Sequence, residues 1–185
     1  MKKNLVLVAL LVISMFCVAQ INPKTSDLFN VNSQVVKVGV GLNLFSFPLE
    51  LSYEKGIQDN IFDVDGLNLG VGGYLGYYGY KRDFTMPILN YSYSYRYTNI
   101  IIGARGLLHY NFVPKLDTYA GLLLGYNIGS ARYSGDGVEP TSPKVGGIAY
   151  GGVLGARYEF NEKFGAYAEV GYSISVLSVG VAYKF

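Results

Sequence analysis

Eight ionisable residues fall at alternate positions within otherwise apolar or glycine-rich stretches. They are the cations Lys37, Arg105, Arg157 and Lys184 and the anions Glu50, Glu54, Glu159 and Glu169. Four of each sign can neutralise one another in a poorly hydrated interior, or line a path for ions. Catalysis needs more than this, because a nucleophile and its base must occur together. His109 is the only histidine and Cys17 the only cysteine, which also leaves too few soft ligands for a transition-metal site. A lone histidine on a strand reads as a hydrogen-bonded interior residue. The runs Gly70-Val71-Gly72-Gly73 and Gly146-Gly147 lack the strand-to-helix setting and the Lys-Ser/Thr ending of a phosphate loop. Asp136-Gly137 with Glu139 offers too few oxygens for calcium. No cofactor, no metal and no enzymatic activity are therefore expected. Recognition chemistry is carried instead by Tyr91, Tyr93, Tyr95 and Tyr97, which alternate along one extended stretch. Tyrosine supplies amphipathic contact area at low entropic cost.

The elements that position these residues follow from address and composition. Lys2 and Lys3 precede an uncharged run from Leu5 to Ala19, and Cys17-Val18-Ala19 ends it with residues suited to a signal peptidase. Residues 1–19 are thus expected to be a signal peptide, too short to span a membrane stably. Bulky Phe16 argues against processing at Cys17 as a lipoprotein. Loss of Lys2 and Lys3 lowers the 15 Lys plus Arg to 13, level with the 13 Asp plus Glu. A neutral mature chain has no basic footprint for nucleic acid. Half of the residues are hydrophobic, with 18 Tyr, 10 Phe and 24 Gly. The apolar content past the signal is spread by alternation rather than gathered into spanning runs.

Alternation of period two places side chains on opposite faces of a strand. Residues 20–33 are polar and carry Pro23, which reads as a short periplasmic lead-in to a barrel over 34–185. The first strand, Val36 to Phe45, sets valines and leucines against Lys37, Gly39, Gly41 and Asn43. The second sets Leu49, Leu51 and Tyr53 against Glu50, Ser52 and Glu54, and Gly56 to Asp65 connects it to the third, Gly66 to Tyr80. The fourth, Asn99 to Asn111, places Arg105 and His109 inside together with Ile101 and Leu107, unless a bulge changes the face. Val113 to Asp117 reads as a turn. The fifth strand points Leu122, Leu124 and Tyr126 outward, the sixth is Ile148 to Phe160, and Asn161-Glu162-Lys163 turns into the seventh, Phe164 to Tyr172. An eighth follows from Leu177. The fold class expected is all-β, an eight-stranded antiparallel up-and-down transmembrane barrel, because closure satisfies the backbone where lipid cannot. Such a barrel is narrow enough for side chains to fill, so the eight charges read as a paired plug rather than a pathway.

Leu177, Val179, Val181, Tyr183 and Phe185 form an apolar row on the last strand, closed by an aromatic carboxyl terminus. This pattern resembles the assembly signal of bacterial outer-membrane barrels. With the signal segment and the eight alternating strands, the whole mature chain resembles the small barrels that include OmpX-like proteins, the OmpA membrane domain and the OmpW-like and opacity-type barrels. The resemblance implies location in the outer membrane, insertion by the barrel-assembly machinery, contact with outer-membrane lipids and lipopolysaccharide, and a structural or surface-interaction role whose protein or host ligand is unspecified. A narrow channel for small or apolar solutes is the alternative, and a lipid-modifying barrel enzyme a remote one. The same orientation makes Lys81 to Thr98 and Ser130 to Gly147 the two long extracellular excursions. Tyr91 to Tyr97 share parity with the lumen face of the fourth strand. Either a bulge near Thr98 and Asn99 switches faces, or the hairpin continues above the membrane.

Overall fold

The computed structural model describes residues 28–43, 46–86, 91–135, 145–172 and 174–185. The expected signal segment, Leu44 and Phe45 of the expected first strand, and Asp136-Gly137 with Glu139 lie outside the described residues. Strands β1 (Gln34–Leu42), β2 (Leu49–Gln58), β3 (Asn68–Met86), β4 (Tyr91–Val113), β5 (Leu116–Gly135), β6 (Gly146–Glu159), β7 (Phe164–Tyr172) and β8 (Leu177–Lys184) each pair antiparallel with the next. β8 returns to β1 through the register Val35↔Lys184 to Leu42↔Leu177, closing the barrel.

The two faces of this sheet are inverted relative to a water-soluble barrel. Ile148, Leu122 and Tyr150 point outward at 76%, 72% and 66% exposure, while Lys37, Glu54, Arg105 and Arg157 are buried inside. An apolar outer belt around a polar core is the arrangement that lipid selects. The narrow interior depends on glycine at points of close approach. A side-chain carbon at Gly39 would collide with the Tyr167 hydroxyl, and one at Gly155 with the Tyr119 ring.

Both ends of the barrel chain meet at one rim, here called the terminal end. The connections there are compact. One turn of 3-10 helix (Ile61–Asp63) lies between β2 and β3, and Asn161 Oδ1 accepts from the amides of Lys163 and Phe164 between β6 and β7. Between β4 and β5 the chain reverses over Pro114 and Lys115 alone, with Lys115 at φ 65° and Val113 paired to Leu116. The turn is thus shorter than the expected Val113 to Asp117. Asp117 belongs to β5 and points into the lumen.

At the opposite rim the strands are unequal. β2 pairs with β3 only as far as Leu49↔Tyr77, and β6 with β5 only as far as Ile128↔Gly146. By contrast β3 and β4 stay paired to Met86↔Tyr91, and β4 and β5 to Tyr93↔Gly135, without a register shift along the way. Of the segments expected as the excursions Lys81 to Thr98 and Ser130 to Gly147, residues 81–86, 91–98, 130–135 and 146–147 are therefore strand, and residues 87–90 and 136–144 lie outside the described residues. No bulge forms at Thr98 and Asn99. Three strands simply continue past the other five as a protruding sheet.

Candidate functional site

Inward parity on seven strands, all but β3, delivers charges of both signs to one column, and they meet in alternating order. From the terminal end, Lys184 Nζ lies 3.6 Å from Glu159, which is 3.3 Å from Arg157, which is 2.9 Å from Asp117. Both oxygens of Asp117 lie 3.0 Å from His109 Nδ1, and His109 Nε2 is 2.5 Å from Glu54. Glu54 is 3.7 Å from Lys37, Lys37 is 2.9 Å from Glu169, and Glu169 takes a 2.6 Å hydrogen bond from Arg105. Every link apart from those of the imidazole joins opposite charges, and the imidazole stands between two carboxylates. The Tyr119 hydroxyl donates to Glu169 at 2.8 Å, and Lys37 Nζ sits 4.3 Å from the centre of the Tyr119 ring. Buried charges are tolerated only when paired and hydrogen-bonded. Every charge in this column has a partner, although Glu54 Oε2, Arg105 Nε and Arg157 Nε make no hydrogen bond.

Seven of the eight sequence-predicted charges join this column, and Glu50 stands apart. It accepts hydrogen bonds from Ser175 Oγ at 2.5 Å and Ser178 Oγ at 2.8 Å, nearer the opposite rim. Two members were missed. Asp117 was absorbed into the expected turn, although it shares odd parity with Tyr119 and Gly121, the signal that would have found it. His109 was read as an interior residue, and its role as the link between two carboxylates depends on strand stagger that local sequence does not encode.

Both mouths of the lumen are closed by the chain itself. Residues 28–33 were expected as a lead-in outside the barrel, but Phe29 is fully buried and stacks on His109 with ring centres 3.8 Å apart. The backbone oxygens of Phe29 and Leu28 accept from Asn68 Nδ2 at 2.6 Å and Lys184 Nζ at 2.5 Å. At the other mouth Ile174, expected in a short outer loop, is 4% exposed and packs with Tyr74, Ile101 and Leu123. Between this apolar lid and the charged column remains a cavity of about 40 Å³ touching Glu50, Arg105 and Glu169. That volume suits water rather than a substrate. Among the described residues no group of His, Asp and Glu is arranged to hold a metal ion.

Above the lid, inward parity carries mainly rings, with the Arg82 guanidinium 5.7 Å from the centre of the Tyr80 ring. Tyr80 stacks on Tyr97 at 4.8 Å and Phe84 on Tyr93 at 5.1 Å, while Tyr95 meets Tyr133 edge to face at 5.6 Å. Tyr91 pairs with Met86 at the tip of the hairpin. The other face of the same sheet is polar, carrying Lys81, Asp83, Arg96, Thr98, Ser130 and Arg132. On β8 the row Leu177, Val179, Val181 and Tyr183 lies on the outward parity, and Phe185 follows just past the strand end. Val181 and Phe185 are exposed, and Tyr183 stands between the rings of Phe164 and Phe185.

A closed ring of eight antiparallel strands, greasy outside and ion-paired within, defines a transmembrane β-barrel. More particularly, the chain has the fold of the small eight-stranded outer-membrane barrels. It is similar to the N-terminal β-barrel domain of Pseudomonas aeruginosa OprF, with a TM-score of 0.52 and 15% identity over 83% of this chain and 98% of that one. It is equally similar to Ail, the attachment invasion locus protein of Yersinia pestis, with a TM-score of 0.52 and 18% identity over 83% of this chain and 99% of that one. At such identities the likeness is one of fold. No family model matches the chain, and no curated protein matches it in sequence.

Proposed function

We propose that this chain is an integral outer-membrane protein, exported by a cleaved signal peptide and inserted by the barrel-assembly machinery, with a non-catalytic structural or surface-interaction role. Its belt contacts outer-membrane lipids and lipopolysaccharide, and its contact surface for a protein or host ligand is the protruding part of β3, β4 and β5. The observation that carries this reading is the unbroken pairing that lifts three strands past the rim and concentrates Tyr91, Tyr93, Tyr95 and Tyr97 there. Closure of the lumen at both mouths supports a plugged barrel over the narrow-channel alternative. A catalytic role for His109 is disfavoured because the ring is 1% exposed and both nitrogens are engaged.

Two experiments test the reading. Changing Tyr91, Tyr93, Tyr95 and Tyr97 to Ser should leave a folded, heat-modifiable barrel in the outer membrane but reduce autoaggregation and adhesion of whole cells. If those cells kept every surface phenotype while Glu169→Gln abolished it, a lumen function would replace the interaction reading. In planar bilayers the wild-type chain should show no steady open current, and a sustained one would favour the channel. Assembly is expected to depend on the last strand. Phe185→Asp should lower the folded yield in the outer membrane by removing the aromatic end of the row from Leu177, and an unchanged yield would count against that assignment.

A further inference from the structure

The polar face of the protruding sheet contains an arrangement that β-sheets ordinarily avoid. Lys81 is directly opposite Arg96 on the neighbouring strand, and Arg96 is directly opposite Arg132 on the next. Adjacent strands lie about 5 Å apart, so the three cations form a row about 10 Å long, and like charges in directly opposed positions destabilise a sheet. Lys81 has a partner in Asp83 at 2.8 Å. Among the described residues no carboxylate lies within ion-pair distance of Arg96 or Arg132, and both are exposed. The row thus keeps a net positive charge that no described residue neutralises.

Its position says what does. The cations share outward parity with Tyr77, Ile100 and Ile128, the uppermost apolar side chains of the belt on these strands, and stand four residues beyond each. Gly79, Thr98 and Ser130 occupy the step between. Four residues of a strand tilted near 45° rise about 10 Å, which carries the row from the hydrocarbon edge into the headgroup layer. The outward side of that layer is lipid, not solvent, so the anion available there is a lipid phosphate.

We propose that Lys81, Arg96 and Arg132 form a binding site for the phosphorylated saccharide headgroup of lipopolysaccharide, whose acyl chains lie against the belt below. The length of the row fits a headgroup with more than one phosphate, and the hydroxyls of Thr98 and Ser130 suit the sugar. The inference rests on the outer-membrane reading above.

The test uses the refolded chain in nanodiscs of neutral phosphatidylcholine, titrated with purified lipopolysaccharide. The triple variant Lys81→Gln, Arg96→Gln, Arg132→Gln should bind it roughly a hundredfold more weakly, since each cation near an anionic surface contributes about fivefold. Enzymatically dephosphorylated lipopolysaccharide should bind wild type as weakly as intact lipopolysaccharide binds the variant. The charge-keeping variant Lys81→Arg, Arg96→Lys, Arg132→Lys should retain most of the affinity. In neutral lipid without lipopolysaccharide the Gln variant should unfold no more readily than wild type, because the row repels itself, whereas a row with a purely structural role would predict a loss. Equal affinity of wild type and Gln variant for lipopolysaccharide would overturn the proposal. So would a charge-dependent gain for soluble heparin with none for lipopolysaccharide, which would assign the row to a polyanion in solution. Failure of the wild type to enter nanodiscs would sink the membrane reading itself, a result distinct from insertion without lipid preference.

Discussion

The lumen column and the protruding sheet are built from the same inward parity of the same strands, yet one is filled with paired charges and the other with tyrosines. On β4 the switch occurs within a few residues, from Arg105 and His109 below to Tyr97 and Tyr95 above. On the outward parity of that strand Ile100 and Ile102 give way to Thr98 and Arg96. Register does not change, so the change is one of surroundings. Inside the closed ring, side chains compete for a narrow space that water cannot flood, and charges of opposite sign can neutralise each other there. Beyond the ring the inward face loses its opposite wall, and broad rings cover one another while the former lipid face becomes polar. The position of the membrane is thus written twice, once on each face of three strands.

If the column is a single paired unit, breaking its most connected member should have the largest effect. Glu169 is bonded to Lys37, Arg105 and the Tyr119 hydroxyl. Glu169→Leu would leave two buried cations without their partner and should destabilise the barrel by about 3–5 kcal/mol, measured by reversible urea unfolding in lipid vesicles. A loss below about 1 kcal/mol would mean that the lumen is wetter than its geometry indicates. A smaller effect should map the boundary between the two regions on the outward face of β5. Leu124→Arg, within the belt, should cost about 2–4 kcal/mol, and Ser130→Arg, six residues toward the tip, under about 1 kcal/mol. Equal costs would place the sheet in lipid and remove the physical basis of the contrast.

The strands were legible from sequence because lipid on one side and a crowded lumen on the other enforce period two with few exceptions. Even Ile101 and Leu107, hydrophobic residues on the polar parity, took the faces that alternation assigned and are buried at 4% and 1%. What the alternation could not supply was anything depending on stagger around the ring. The contact of His109 with Glu54 joins residues from strands that are not neighbours, and only the closed geometry brings them together. Asp117 was hidden because Pro114 and Lys115 gave a turn signal strong enough to absorb the start of β5. Phe29 lacked any periodic context, so its entry into the lumen had no signature beyond a large ring in a polar stretch. For the tyrosines both possibilities were visible, and the even pairing of β3 with β4 decided for a hairpin that continues.

The smallest effect should come from within the sheet, and it tests whether the two regions unfold together. Tyr95 is 6% exposed although it stands above the mouth, because Tyr93, Tyr97, Tyr133 and Phe84 all pack on it. Aromatic pairs contribute about 0.5–1.5 kcal/mol each beyond their burial, and Tyr95→Ser removes several at once. That loss is local if the sheet can open while the ring below stays closed by the β1 to β8 pairing. Amide exchange in residues 93–97 and 131–135 should then speed up by about tenfold, which corresponds to about 1.4 kcal/mol, while the amides of Arg105, Leu107 and Leu123 keep their protection. Acceleration of both sets to the same degree would show one cooperative unit reaching from column to tip. The sheet would then be part of the barrel's core rather than a surface carried above it, and changes at its tyrosines could not be read as changes at a contact site alone.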